Sequence, residues 1–204
     1  MELYDSEEQQ VEAIKDWWKE NGKAVVLGVV VGLGGLFGWR YYQDSVVQAQ
    51  EAASEQYSKA IESMVVSGVD ASADVQAFID SSKESEYAVL AAMQLAKAQV
   101  EAGNLEDALT QLQWAQSNTK DPAIAPLVTY RVARLMAESG NNDGARAELD
   151  KITDAAWAGR VAELRGDIAI REGDRDAAYT AYTQAQQAQD ASQALQIKLD
   201  DLAK

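Results

Sequence analysis

The sequence predicts an all-α fold in which one N-terminal transmembrane helix precedes a solenoid of helix–turn–helix repeats. Residues 24–39 form an uncharged run rich in glycine and aliphatic side chains, which is typical of a membrane span. Further on, a Gly-Asn or Gly-Asp pair recurs three times, and small and large residues recur in register with it. Internal periodicity of this kind is the signature of a repeat array.

The composition excludes several classes of function. The chain contains no Cys and no His, so it can build neither a zinc site from thiolates and imidazoles nor a Cys–His or Ser–His–Asp nucleophile. Its net charge of −15 would repel phosphate backbones, which argues against nucleic acid as a partner. We therefore expect a protein that is not an enzyme and that has no cofactor, metal or small-molecule substrate.

The run at residues 24–39 is slightly shorter than the roughly 20 residues of a usual membrane-spanning helix. The flanking Lys23 and Arg40 can extend their side chains toward the interface, which lengthens the span to about 27 Å. Aromatic side chains flank both ends, as in a membrane anchor: Trp17, Trp18, Trp39, Tyr41 and Tyr42. A cleaved signal peptide is a poorer interpretation, because the preceding segment is long and acidic rather than short and basic.

The distribution of basic residues predicts the orientation of the anchor. Three lysines precede the span, whereas Arg40 alone follows it closely. Basic residues stay on the cytoplasmic side, so we expect the tail to be cytoplasmic and the repeat domain to be exported. The preceding lysines are Lys15, Lys19 and Lys23.

Within the span, Gly28, Gly32 and Gly35 fall on one face of a helix, and Gly28-x-x-x-Gly32 is a small-xxx-small pattern. Such a face lets another transmembrane helix approach closely. It predicts a packing face, although glycine is also common in membrane spans without that role.

The tail ahead of the span carries a short amphipathic helix. Ser6-Glu-Glu-Gln9 reads as a capping box that opens this helix, and Asn21-Gly22 is expected to end it. One face contains Val11, Ile14 and Trp18, so the helix either lies at the membrane interface or is solvated.

Three segments align without gaps on the glycines of the recurring pair, Gly103, Gly140 and Gly173. Each glycine is expected to end a helix in the left-handed conformation, and the next Asn or Asp to cap the following helix. Small residues lie seven before and five after each glycine, where two helices would cross closely: Ala96, Ala133 and Gly166, then Ala108, Ala145 and Ala178. Large residues lie nine after and sixteen before: Leu112, Leu149 and Tyr182, then Tyr87, Ile124 and Trp157. The pattern resembles tetratricopeptide (TPR) repeats.

The ends of the array are less regular. Ser67-Gly68, followed by Ala73, fits a degenerate first repeat, although Ile61 replaces the small residue. Asp121-Pro122 and Ala125-Pro126 each offer a helix start with proline at the first position. We divide the chain into a cytoplasmic tail at 1–23, a signal-anchor at 24–42 and a TPR-like domain at 43–204. That domain comprises a first repeat at about 45–80, repeats at about 86–120, 122–153 and 155–189, and a capping helix at 191–204.

The first helix of each TPR-like pair lines the concave side of the array, which makes that side a candidate groove for a peptide or an unfolded chain. The alternative is an ordinary solvated repeat face. By register, the candidate groove residues are Leu90, Met93 and Lys97 in one repeat, Leu127, Tyr130 and Arg134 in the next, and Arg160, Glu163 and Asp167 in the third.

The whole chain resembles the YfgM family, the ancillary subunits of the bacterial SecYEG translocon. The resemblance is carried by Glu8-Gln-Gln-Val-Glu-Ala-Ile-Lys-Asp-Trp-Trp-Lys-Glu-Asn-Gly-Lys23 and by Gly38-Trp-Arg-Tyr-Tyr42. Two shorter segments match the last repeat of the family: Ala156-Trp157-Ala and Glu163-Leu-Arg-Gly166-Asp. The central repeats match more loosely.

The resemblance implies a single-pass inner-membrane protein with its TPR-like domain in the periplasm. It also implies association with SecYEG and with the membrane-anchored chaperone PpiD, and a role in handling newly exported polypeptides. The runner-up is a structural scaffold of another envelope assembly, such as pilus or polysaccharide machinery, because one fold serves many functions.

Overall fold

The computed structural model describes residues 7–202, which consist of α-helices, short 3₁₀ turns and loops, with no strand among them. The described chain divides into two compact units, one ending at Ala52 and the other beginning at Ala53. The helices are α1 (Glu7–Ser67), α2 (Ser72–Ser81), α3 (Glu86–Glu101), α4 (Leu105–Asn118), α5 (Ala125–Glu138), α6 (Asn142–Leu149), α7 (Ala158–Glu172), α8 (Arg175–Gln186) and α9 (Leu195–Leu202).

The predicted membrane span lies within α1. Its most apolar 18-residue window has a mean hydropathy of 1.7, and only 6% of that window is buried. A soluble protein would bury such a surface, whereas lipid can cover it. The protein is therefore anchored in a membrane by α1. The Trp39 and Tyr42 rings contact each other next to the span, with centroids 6.2 Å apart.

The expected end of the tail helix at Asn21-Gly22 is wrong, because α1 continues through both residues. The Asn21 side chain donates a hydrogen bond back to the Trp17 carbonyl at 3.1 Å. Gly22 is buried beneath Trp18, where a Cβ would lie 3.1 Å from Cε2 of the indole. Because Gly22 has no side chain, the Trp18 ring can pack against the helix backbone at this position. The capping box begins at Ser6, which lies outside the described residues.

The second unit contains three helix hairpins, α3–α4, α5–α6 and α7–α8, in which both helices pack closely against each other. The residues predicted at the crossings are buried: Ala96, Ala133, Gly166, Ala108, Ala145 and Ala178. The large residues nine positions after the glycines are buried as well, namely Leu112, Leu149 and Tyr182. Tyr87, Ile124 and Trp157 are half-buried and pack against the cores. The predicted helical-repeat fold is confirmed.

The three turn glycines adopt the predicted left-handed conformation. Gly103, Gly140 and Gly173 have φ angles of 83°, 82° and 82°. After the last two, the Asn141 and Asp174 side chains accept hydrogen bonds from the main chain of the next helix, at 3.0 Å and 2.9 Å. Asn104 occupies the same position but makes no such bond.

Substitution of Gly173 is expected to act through the backbone alone, because a Cβ there would have no neighbour within 4 Å. Left-handed backbone costs most residues roughly 1–2 kcal/mol, whereas asparagine tolerates it. Gly173→Val should therefore lower the free energy of unfolding by about that amount, and Gly173→Asn by less. Urea unfolding of both variants checks this, and equal losses would contradict it.

In the last hairpin, one of two contacting residues is smaller than its counterpart in the other hairpins and the other is larger. At the equivalent positions of the first two hairpins, an alanine and a leucine are buried in the same core: Ala96 with Leu112, and Ala133 with Leu149. In the third, glycine stands opposite Tyr182, and a Cβ on Gly166 would fall on carbons of the tyrosine ring. The larger ring is thus accommodated by the smaller partner.

The first repeat departs from the predicted register. After Gly68 the chain forms a 3₁₀ turn at Gly68–Ala71, so that α2 starts four residues after the glycine instead of two. Ala73 is consequently exposed, and its predicted role at a helix crossing is wrong. Ala71 and Val75 are buried in its place.

The fold decides where α5 begins, which the sequence left open, and it contains a helix at the predicted C-terminal cap. Helix α5 begins at Ala125, with Pro126 in its first turn, whereas Asp121 accepts a hydrogen bond from the Ala123 amide in the preceding turn at 2.8 Å. At the C-terminus, α9 covers the last hairpin with Leu195, Leu199 and Leu202.

Candidate protein-binding groove

The candidate groove residues differ widely in accessibility. Three charged residues are exposed: Lys97, Arg134 and Arg160. Leu90, Leu127 and Tyr130 are half-buried, as are Glu163 and Asp167. The prediction for Met93 is wrong, because it is only 6% exposed and belongs to the hydrophobic core. Helix α3 packs against both α2 and α4, and these contacts cover part of the surface that the groove prediction left open to a ligand.

Aromatic and arginine side chains meet between α5 and α7. The Tyr130 and Trp157 rings lie 5.8 Å apart between centroids, and the Arg160 guanidinium carbon lies 4.8 Å from the centre of the Trp157 ring. Burial raises the pKa of the Tyr130 phenol, and the positive charge of Arg134 partly offsets that rise. We call Tyr130, Arg134, Trp157 and Arg160 the arginine–aromatic cluster.

The carboxylates of the third repeat are already occupied by the chain's own C-terminal helix. The Lys198 ammonium on α9 lies 2.8 Å from Glu163 and 2.6 Å from Asp167. The Tyr182 hydroxyl also donates to Asp167, at 2.7 Å. Burial alone would lower the pKa of Lys198, but the hydrogen bonds to both carboxylates raise it above its ordinary value. Glu163 and Asp167 therefore hold α9 in place and are not free for a ligand.

Ion pairs also form between and within the first helices of the repeats. Arg171 on α7 lies 2.5 Å from Glu138 on α5 and also donates to the Ala137 carbonyl. Lys97 and Glu101 pair within α3 at 3.7 Å. The Arg171 contacts join α7 to α5 near the C-terminal ends of both helices.

A loop carboxylate orients the start of α7. Asp190, in the loop before α9, accepts hydrogen bonds from the amides of Gly159 and Arg160 at 2.7 Å and 3.1 Å. No side chain at the Trp157 cap position does so. A Cβ on Gly159 would lie 2.5 Å from the Asp190 carboxylate, so the glycine lets this loop approach. Free amides at a helix start favour a carboxylate.

Sequence reasoning missed three contributors to this region. Trp157 was recognised as a packing residue but not as a neighbour of Arg160. Lys198 and Asp190 lie at least 30 residues along the chain from the groove positions that they contact, and no local pattern signals them. Within the described residues, no group of three acidic, His or Cys side chains is arranged to hold a metal ion.

The glycine face of the span is open in the described chain. A Cβ added at Gly28, Gly32 or Gly35 would have no neighbour within 4 Å. The surrounding aliphatic side chains are exposed, with Val29 at 53% and Val31 at 65%. Room for another helix exists on this face, and its occupant is a matter for proposal.

Comparison with known proteins finds a repeat-domain family and several relatives that share one name. The sequence model of the tetratricopeptide repeat-like domain matches residues 15–204. Two proteins named ancillary SecYEG translocon subunit, from Escherichia coli strain K12 and Haemophilus influenzae, are each 33% identical. The first alignment covers 100% of both chains and the second 84% of both. The relative of the same name from Aggregatibacter actinomycetemcomitans is 32% identical over 96% of this chain and 97% of its own.

A solved structure shares the fold. The crystal structure of MamA superposes with a TM-score of 0.55 at 17% identity, covering 78% of this chain and 86% of that one. At this identity the likeness concerns the fold alone.

Proposed function

This chain belongs to the tetratricopeptide repeat-like family that includes the ancillary SecYEG translocon subunits, and from that premise we propose that it is such a subunit. It lies in the inner membrane as a single-pass protein, with its N-terminus in the cytoplasm and its repeat domain in the periplasm. There it acts without catalysis, by binding proteins in the chaperone network for newly exported polypeptides. PpiD is the partner chaperone that the family resemblance implies.

The similarity to translocon subunits along the whole chain carries this proposal. Two structural features support it. The exposed apolar helix provides a tether next to a membrane complex, and the repeat domain presents charged and aromatic side chains on its first helices. Both suit an adaptor that binds proteins.

Labelling of single cysteines is the test of orientation, because the natural chain has no cysteine to interfere. A membrane-impermeant maleimide should label Gln193→Cys in cells with a permeabilised outer membrane, and should not label Glu12→Cys until the inner membrane is lysed. Gln193 and Glu12 are both exposed in the structure. Labelling of Glu12→Cys before lysis would refute the orientation.

The open glycine face is proposed to pack against a transmembrane helix of the translocon or of its partner chaperone. Gly32→Leu would fill that face, and we expect it to reduce the amount of SecYEG or PpiD recovered in mild detergent. Val31→Leu, one position away, is the matched control. Equal recovery for both variants would refute the packing role.

The same co-purification separates this function from the scaffold alternative. Recovery of SecYEG supports a translocon subunit. Recovery of pilus or polysaccharide components without SecYEG would refute the translocon proposal and favour the scaffold.

A further inference from the structure

The basic side chains of the second unit are almost all committed to contacts within the chain. Each lysine described between residues 53 and 202 lies within 4.0 Å of a carboxylate. Arg146, Arg165 and Arg171 do so as well. Arg175 instead donates to the carbonyls of Asp201 and Leu202.

Arg131, Arg134 and Arg160 are the exceptions, since none of their guanidinium groups has a carboxylate partner among the described residues of this acidic chain. All three are exposed. Two of them, Arg134 and Arg160, belong to the arginine–aromatic cluster. The acidic side chains that could have paired with them, Glu163 and Asp167, are held by Lys198 instead.

We propose that the arginine–aromatic cluster binds an acidic segment of a partner polypeptide. One carboxylate of the segment would pair with the Arg160 guanidinium on Trp157 and another with Arg134 beside Tyr130, and an apolar side chain between them would lie on the Tyr130 and Trp157 rings. This inference rests on the proposed function and names the chemistry of the segment that the repeat domain takes.

Charge and geometry both favour this occupant. An arginine stacked on an indole keeps its in-plane N–H donors free for a carboxylate. The chain as a whole carries −15, so most of its surface repels an acidic segment, whereas this cluster offers guanidinium groups that are not paired with a carboxylate. The cluster also combines arginine with tyrosine and tryptophan, the residues that contribute most to protein binding sites.

Fluorescence anisotropy with the full chain in phosphatidylcholine nanodiscs tests the proposal. The probe is a short labelled peptide in which glutamates flank a phenylalanine, and its counterparts carry glutamine or lysine in place of glutamate. We expect the glutamate peptide alone to bind. Arg134→Gln and Arg160→Gln should each weaken it about tenfold, the value of a hydrogen bond to a charged group.

Arg165→Gln is the matched control, because it removes the same charge from α7 at a site paired with Asp150. The control should bind the glutamate peptide like the natural chain. The double variant Arg134→Glu/Arg160→Glu should instead prefer the lysine peptide. An exchange of preference of this kind cannot result from unfolding.

Several outcomes would overturn the inference. The glutamine peptide could bind as tightly as the glutamate peptide, or Arg165→Gln could weaken binding as much as the cluster variants. Arginine-dependent self-association, or arginine-dependent binding to phosphatidylglycerol vesicles, without peptide binding would assign the cluster to another occupant. Recovery of SecYEG with the natural chain keeps the two proposals distinct, because failure to recover it would refute only the proposed function.

Discussion

Gly166→Ala is expected to lower the free energy of unfolding by about 2 kcal/mol, which is the net of two opposing effects. Alanine favours a helix over glycine by about 1 kcal/mol. Against this, the new methyl group would overlap Cε1 and Cδ1 of Tyr182 and lie 3.1 Å from Cζ. Overpacking costs about 1–3 kcal/mol, and we expect the upper value because the overlap is with two ring carbons. The ring cannot move away easily, because its hydroxyl is bonded to Asp167 at 2.7 Å.

Urea unfolding of the full chain in detergent measures the loss, and a second substitution tests its cause. Adding Tyr182→Leu to Gly166→Ala recreates the alanine–leucine pair of the other two hairpins, so the double variant should be more stable than Gly166→Ala alone. Ala133→Gly is the control without a clash and should lose about 1 kcal/mol through helix propensity. A double variant no more stable than the single one would show that the ring is not the cause.

Two arginines in the span are expected to abolish stable membrane insertion. Val30 and Leu33 are 61% and 50% exposed, near the middle of the apolar run. Each arginine at the centre of a membrane helix costs about 3 kcal/mol in insertion. Val30→Arg/Leu33→Arg should therefore move the protein from the carbonate-resistant membrane fraction into the soluble or degraded fraction.

Val65→Arg/Val66→Arg is the matched control for this experiment. Both valines are 80% exposed near the end of α1, beyond the predicted span, and they receive the same charges. The control should remain in the membrane fraction. Retention of both double variants would contradict the assignment of residues 24–42 as the anchor.

The TPR-like hairpins were predictable from the sequence because their determinants are local. Gly140 and Gly173 are needed where the backbone turns left-handed, and the small residues around them follow at fixed spacing. The anchor was equally predictable, because few environments other than lipid accommodate an uncharged apolar run of this length. These features depend on the neighbours of each residue along the chain, which the sequence displays directly.

Other features depend on which distant segments meet. The register predicted Met93 as a groove residue, but the packing of α2 and α4 around α3 buries it. The 3₁₀ turn after Gly68 shifted the first repeat and exposed Ala73. Neither could be read from periodicity, because burial is set by the elements on every side of a helix.

The candidate site divides in the same way. The sequence by itself determined which residue types stand on the first helices, including Tyr130, Arg134 and Arg160. Only the tertiary structure decided which charged side chains are paired. It brings Lys198 from the C-terminal helix to Glu163 and Asp167, and it leaves the guanidinium groups of Arg134 and Arg160 without a carboxylate. Charge pairing acts over a few ångströms in space irrespective of separation along the chain, so the free charges of a protein are known only once it is folded.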